Sequence, residues 1–197
     1  MGPVDLVLRP GELVFLTGAN GSGKTTLMKL IAGLYAPTAG AVRLDGQRVG
    51  PDDGERWRGL FTAIFTDQHL FERLYGLEDR PREQVQALLE RFALDKVTGL
   101  DADGAFTQLD LSSGQRKRLS MVVALLEDRP IYLLDEWAAH QDPALRRYYY
   151  ERLLLELKAR GRAVIAVSHD DRFFHLADRV FHLERGRVRE DLTPRQA

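Results

Sequence analysis

No cysteine occurs among the 197 residues, so the chain has no disulfide framework, no thiolate zinc site and no cysteine nucleophile. Long apolar runs are also missing. The longest, Met121 to Leu126, is far short of the roughly 18 residues that suggest a membrane-spanning helix. Neither charge sign dominates, with 28 Lys and Arg against 29 Asp and Glu. This balance argues against a nucleic-acid coat or a basic membrane-binding protein. The opening residues Met1-Gly2-Pro3-Val4-Asp5 carry neither a basic n-region nor an apolar h-region, so no secretion signal shows there. What is present is ordinary: 44% hydrophobic and 29% charged residues, the balance of a soluble globular chain long enough to bury a core. A single cytosolic-type domain over 1–197 is expected, with an inserted lobe within it.

Apolar residues fall in short, bounded groups. Leu13-Val14-Phe15-Leu16 lies between Gly11 and Gly18 and predicts a buried strand. A glycine-rich turn follows, then Leu27, Leu30, Ile31 and Leu34 at helical spacing, with Gly33 and Pro37 ending the helix. Residues 41–44 and the turn Asp45-Gly46 suggest a hairpin, and 60–65 another strand. From about 71 to 127 the pattern turns helical. Val85, Leu88, Leu89 and Phe92 form one stripe; Leu119, Val122, Val123 and Leu126 form another. Two very apolar strands come next, 131–134 and 163–167, separated by a helix with Leu145, Tyr149, Leu153 and Leu157 on one face. Strands apolar on both faces and separated by helices imply an α/β fold, a mostly parallel sheet covered on both sides. The helical stretch at 71–127 interrupts that alternation and is read as an inserted helical subdomain; an antiparallel β part completes the picture.

Gly18-Ala19-Asn20-Gly21-Ser22-Gly23-Lys24-Thr25 fits G-x-x-x-x-G-K-[ST] between a strand and a helix, the P-loop pattern of nucleoside triphosphatases. Glycines let the backbone curl so that successive N–H groups face phosphate oxygens, and the helix adds its positive N-terminal end. Asn20, Gly21, Ser22, Gly23, Lys24, Thr25 and Thr26 are the candidate phosphate cradle. Lys24 is placed to reach the β- and γ-phosphates, and the Thr25 hydroxyl to ligate Mg²⁺. Ile131-Tyr132-Leu133-Leu134-Asp135-Glu136 is an apolar strand ending in two carboxylates, at the sheet edge where ligands bind in open α/β folds. Asp135 can hold Mg²⁺, and Glu136 can orient and deprotonate an attacking water.

Leu111-Ser112-Ser113-Gly114-Gln115 resembles the L-S-G-G-Q signature of ATP-binding-cassette (ABC) ATPases, with Ser113 at the first glycine. The P-loop, this signature ahead of Asp135-Glu136, and Ser168-His169 after the last apolar strand extend the resemblance over essentially the whole chain. It implies the ABC ATPase fold, ATP with Mg²⁺, and hydrolysis between two head-to-tail copies. Ser112, Gly114 and Gln115 of one copy would then complete the nucleotide site of the other. It further implies a switch histidine at His169, donating to the γ-phosphate, and a D-loop aspartate at Asp142. The stretches 61–71 and 133–143, and Gly2-Pro3-Val4-Asp5-Leu6, are similar to the ATPase domains of bacterial cyclic-peptide exporters, which move peptide siderophores or lasso-type peptides. In most ABC ATPases Trp137 would be proline and Ala139 serine. The likeness implies a transmembrane domain as partner, upstream in the full chain, a place at the cytoplasmic face of the inner membrane, and no nucleic-acid partner.

Two departures from the family pattern stand out. The usual Q-loop glutamine slot falls on Thr66, with Asp67 and Gln68 just after it. Asp67 or Gln68 could supply the oxygen ligand to Mg²⁺ or its water, and carboxylate suits a hard cation. The aromatic residue that stacks on adenine in this family has no counterpart ahead of Gly18, because Phe15 belongs to the strand core; an upstream segment is expected to be absent. Arg116, Lys117 and Arg118 are read as a solvated helix face, with contact to nucleotide or partner second. Tyr148-Tyr149-Tyr150 is read as helix packing. His69, His140, His175 and His182 have no metal-ligand spacing. A soluble ABC ATPase acting on DNA or ribosomes would call for long coiled-coil insertions or basic arms, a P-loop kinase would lack the signature, and a non-hydrolysing regulatory cassette sits badly with Glu136.

Overall fold

A computed structural model describes residues 1–67 and 69–191. Its centre is strand β1, Leu13–Thr17, whose apolar residues pair on both edges. On one side β1 runs parallel to β6, Ala163–Val167, with Leu13 opposite Val164. On the other it runs parallel to β7, Arg179–Glu184, with Phe15 opposite Val180. Strands β5 (Ile131–Leu134) and β4 (Phe61–Ile64) continue the parallel sheet beyond β6. The last strand β8, Arg187–Asp191, returns antiparallel to β7, around Arg185 and Gly186, both at positive φ as a tight two-residue hairpin requires. The order across the sheet is β4-β5-β6-β1-β7-β8.

Successive residues on a strand point to opposite faces, and here both faces are covered. Leu13, Phe15, Tyr132, Leu134, Val164 and Ala166 join one apolar cluster. Val14, Leu16, Leu133, Ile165 and Val167 join a second, with Leu27 and Met28 of helix α1, Lys24–Ile31. That helix stops at Gly33, where φ is +73° and an added Cβ would stand 2.7 Å from Cδ1 of Trp57. The Trp57 indole, on helix α2 (Gly54–Arg58), donates to the Ile31 carbonyl at 2.9 Å. Between α1 and α2 the expected hairpin is present as β2, Arg43–Leu44, and β3, Gln47–Arg48.

The stretch 71–127 differs from a continuous helical run. It holds α3, Arg82–Arg91, and α4, Ser113–Glu127; the rest is turns and two isolated bridges, Arg73 with Ala105 and Leu100 with Phe106. Turn chemistry defeats the helix there. The Asp101 carboxylate accepts from the amides of Asp103 and Ala105, both at 2.9 Å, offering the backbone a local alternative to helical bonds, and Gly76 and Gly104 take positive φ. Helix α4 packs on both α3 and β4, so it is shared between the sheet and the α3 region.

The helix that carries Leu145 to Leu157 is also not uniform. It runs as α5, Pro143–Tyr148, a π-helical turn at Tyr149–Leu153, and α6, Leu154–Ala159. The wider turn brings the neighbours Tyr149 and Tyr150 inward together, 1% and 3% exposed. Tyr149 stacks on Trp137 with centroids 4.8 Å apart, and Tyr150 on Phe173 at 4.3 Å. The tyrosine run is packing, as its sequence suggests. Among the described residues no helix is long and apolar enough to cross a membrane.

Candidate functional site

The phosphate-loop residues leave β1 and enter α1 through a glycine-dependent path. Gly18 has φ +138° and lies so close to the Leu183 carbonyl that a Cβ would overlap it, while Gly23 caps α1 at φ +106°. Any side chain at Gly18 would force loop and β7 apart. Inside this curl Lys24 is buried, and its ammonium donates to the carbonyls of Gly18 (2.8 Å) and Ala19 (3.1 Å). Asn20, Gly21 and Thr26 are exposed, whereas Ser22 is buried and its hydroxyl has no hydrogen-bond partner. A hydroxyl without a partner in a loop that precedes a helix N-terminus leaves a donor available to an anion.

The Thr25 hydroxyl donates to Oδ2 of Asp135 at 2.7 Å. These groups are 110 residues apart in sequence, and the sheet joins them because β5 ends beside the loop. Asp135 is 1% exposed. Burial pushes its carboxyl above the usual carboxylate range; the Thr25 hydrogen bond and the charges of Lys24 and Lys117 oppose that rise, and Glu136 adds to it. A buried carboxylate touching a hydroxyl is a hard-oxygen pair suited to a small divalent cation. Glu136 and His169 each follow a strand end by two residues, and Nε2 of His169 stands 3.1 Å from Oε1 of Glu136. Both open into a cavity of about 300 Å³ lined also by Arg146, Tyr150, Ser168 and Arg172. Ser168 is fixed by a 2.8 Å hydrogen bond with the Tyr150 hydroxyl.

The signature residues lie at the start of α4. Ser112 is its N-cap, accepting from the Gln115 amide at 3.3 Å, while the Gln115 side chain accepts from the Ser112 amide at 2.9 Å. Such a reciprocal capping box satisfies two otherwise orphaned donors. The Gly114 carbonyl accepts from the Gln141 side chain at 3.2 Å. Among the described residues, no hydrogen bond joins residues 112–115 to the phosphate loop of the same chain. Asp142 caps α5, its Oδ1 accepting from the amides of Ala144 and Leu145 at 3.0 Å.

Asp67 is exposed and faces α1, where Lys29 donates to its Oδ2 at 3.2 Å. That hydrogen bond holds the Asp67 carboxyl below its ordinary value. Thr66 is exposed, and Gln68 lies outside the described residues.

The basic triplet on α4 is a correction. Arg116 is exposed and bonds the Leu111 carbonyl at 3.0 Å, and Arg118 donates to the Phe92 carbonyl at 3.0 Å. Lys117, however, is only 7% exposed and donates to the Glu136 carbonyl at 2.5 Å. Burial pushes its ammonium below the usual lysine range, against the pull of Glu136 and Asp135. The signal was in the spacing: Lys117 shares a helical face with the buried Met121 and Ala124, so it points inward despite its charge.

Residues 1–139 match the protein family described as ABC transporter. The ATP-binding protein SyrD of Pseudomonas syringae pv. syringae is 46% identical over 195 residues, which is 98% of this chain and 34% of that protein. The mycobactin import ATP-binding/permease protein IrtB of Mycolicibacterium thermoresistibile is 34% identical over 199 residues, 95% of this chain and 34% of that protein. The chain thus spans about a third of the length of these curated relatives. A solved ATP-binding cassette, a dimer in a post-hydrolysis state with ADP and Pi, superposes with a TM-score of 0.79 at 24% identity, over 98% of this chain and 90% of that one.

Proposed function

The chain belongs to the ABC transporter family, and from that premise we propose that it binds ATP and hydrolyses it to power a membrane transporter. The observation that carries this reading is the convergence at the C-terminal edge of the sheet: Thr25 on Asp135 at 2.7 Å, and His169 on Glu136 at 3.1 Å. One pair suits the phosphates and their counter-ion, the other the attacking water.

In this reading Lys24 exchanges its bonds to the Gly18 and Ala19 carbonyls for β- and γ-phosphate oxygens, and the loop amides and the α1 N-terminus hold the rest. Thr25 and Asp135 would hold Mg²⁺, which when bound neutralises charge developing between the β- and γ-phosphates. Glu136 accepts a proton from water as its oxygen attacks the γ-phosphorus and the bond to the β-phosphate oxygen breaks. His169 orients Glu136 and donates to the γ-phosphate. Asp67, which accepts from Lys29, or Gln68 contributes a further oxygen to the ion or its water.

Ser112, Gly114 and Gln115 act on a second copy. A head-to-tail two-fold pair would let the N-terminus of α4 in each copy face the other's phosphates; the neighbouring solved cassette is itself a dimer. Asp142, the cap of α5, is assigned to the same contact between copies. Residues 71–127 serve as the subdomain presenting the signature. Loss of the γ-phosphate releases the pair, and that opening and closing drives a transmembrane domain at the cytoplasmic face of the membrane. The likeness to SyrD and to the permease IrtB, each about three times as long, supports a membrane part within the full protein. A cyclic peptide or peptide siderophore is the cargo that the stretches 61–71 and 133–143 favour, moved outward. The test is ATP turnover together with sedimentation mass in ATP for the wild type and Ser112→Arg. The variant should remain monomeric and lose turnover; an unimpaired dimer would overturn the contact across copies.

A further inference from the structure

Among the described residues of the site, Glu136 is the one non-glycine with a left-handed backbone: φ is +50° and ψ 37°. For a residue with a Cβ that conformation is strained, so something nearby must hold it. Its carbonyl has two donors, the Ala139 amide at 3.2 Å and the Lys117 ammonium at 2.5 Å. The second comes from α4, 19 residues earlier in the chain. The bond is returned one residue on. The Trp137 indole, fully buried and stacked on Tyr149, donates to the Lys117 backbone carbonyl at 2.6 Å. With Gln141 on Gly114 at 3.2 Å, three hydrogen bonds tie the first turn and a half of α4 to residues 136–141.

Stability alone does not account for a lysine here. A lysine only 7% exposed is expensive to bury without an ion pair, and no ion pair to Lys117 is present among the described residues. A methionine would pack the same stem. We propose that Lys117 is a positioning residue for Glu136: its ammonium, reaching from the signature helix, fixes the peptide that aims the carboxylate at the attacking water. Because Ser112 and Gly114 head the same helix, the segment that faces a partner's nucleotide and the base of the chain's own site then move as one piece. This rests on the reading of Glu136 as general base.

Lys117→Met keeps the length and volume of the stem and removes only the donor. Turnover should fall at least about tenfold, since misplacing a reacting group by about 1 Å can cost about 10²-fold. The KM for ATP should stay within about threefold, because the phosphate cradle is untouched, and thermal unfolding should not occur earlier. Lys117→Arg, which keeps a donor, should recover part of the turnover. In a Glu136→Gln chain the same Lys117→Met change should remove no further activity, because its route runs through the carboxylate. Lys117→Met turnover within twofold of wild type, or an equal fold loss in the Glu136→Gln background, would overturn the proposal. If Lys117→Met does not fold, Trp137→Phe takes its place: it keeps the ring stack and loses the returning bond, and it must lower kcat with KM preserved. Turnover of Trp137→Phe equal to wild type would then overturn it. A Glu136→Gln chain that turns over ATP like wild type would instead remove the base, a separate failure read in its own arm.

Discussion

Nε2 of His169 lies 3.1 Å from Oε1 of Glu136, which joins the ends of two neighbouring parallel strands, β5 and β6, across the mouth of the site. The parallel pairing of β5 with β6, Leu134 opposite Ala166, brings the two strand ends together, and the turns that follow them carry Glu136 and His169 into contact. For Glu136 as base, Glu136→Gln keeps shape and reach but cannot take the water's proton. Turnover should fall about 10²–10⁴-fold, a positioned base's usual share, while the ATP-bound dimer accumulates. Hydrolysis assays beside mass measurements in ATP check this, and turnover within about twofold of wild type would remove the base assignment.

Lys24→Ala should act on binding as well as chemistry. Its ammonium is the buried cation inside the loop, and two loop carbonyls depend on it. Without it the phosphates lose a positive partner and the carbonyls lose a donor, so nucleotide affinity should drop at least about tenfold, the equivalent of about 1.4 kcal/mol. Titration with a fluorescent ATP analogue reads the effect directly. Unchanged affinity would mean the phosphates sit elsewhere.

Away from the chemistry, Gly33→Ala tests how the α1 terminus is built. The residue needs φ +73°, and its Cβ would meet Trp57 Cδ1 at 2.7 Å. Strain and displacement of a tryptophan that bonds the Ile31 carbonyl should cost about 1–3 kcal/mol. For a chain of this size that is a fall in Tm of roughly 2–4 °C per kcal/mol. Thermal unfolding without nucleotide measures it, and an unchanged Tm would show that Trp57 can move aside freely.

Much of this architecture is legible from residue spacing. The strands at 131–134 and 163–167 fall where apolar runs put them, because a strand buried on both faces leaves no polar residue to blur its limits. The start of α4 is legible for a different reason, since Ser112 and Gln115 carry a cap pattern. The two stripes at 85–92 and 119–126 fall on α3 and α4, but extending the helical reading over all of 71–127 misled, because Asp101, Gly76 and Gly104 fix turns that no period reveals. The π turn at Tyr149–Leu153 has no sequence pattern that marks it; tertiary stacking on Trp137 and Phe173 selects it. At the site, the loop and its carboxylates follow from motif spacing, whereas the inward turn of Lys117 depends on which face of α4 meets Glu136. Charge suggested solvent there, and packing decided otherwise.

Asp135 should make the stability of the chain depend on pH. Burial raises its carboxyl above the ordinary value of 3.8, and the sign of the consequence follows from linkage. As pH rises from that value, the unfolded chain releases this proton first, so the native state holds more protons over the window up to its own higher pKa. Stability therefore falls as pH climbs through that window, and the full penalty persists at neutral pH. Asp135→Asn removes the charge but keeps an oxygen for the Thr25 hydroxyl. Without nucleotide, the variant should melt above wild type at neutral pH, and the gap should close as pH approaches the ordinary carboxylate value. Taking the difference between the two proteins cancels the titrating groups that Asp135 does not touch electrostatically; Glu136, Lys24 and Lys117 are coupled to it. With Mg²⁺ and ATP present the order should reverse, since only wild type gains the ligand's stabilisation. Thermal melts from acid to neutral pH, with and without Mg²⁺ and ATP, supply all four curves. A gap independent of pH would mean that Asp135 titrates alike in the folded and unfolded chains, and that its burial imposes no charge penalty for a cation to relieve.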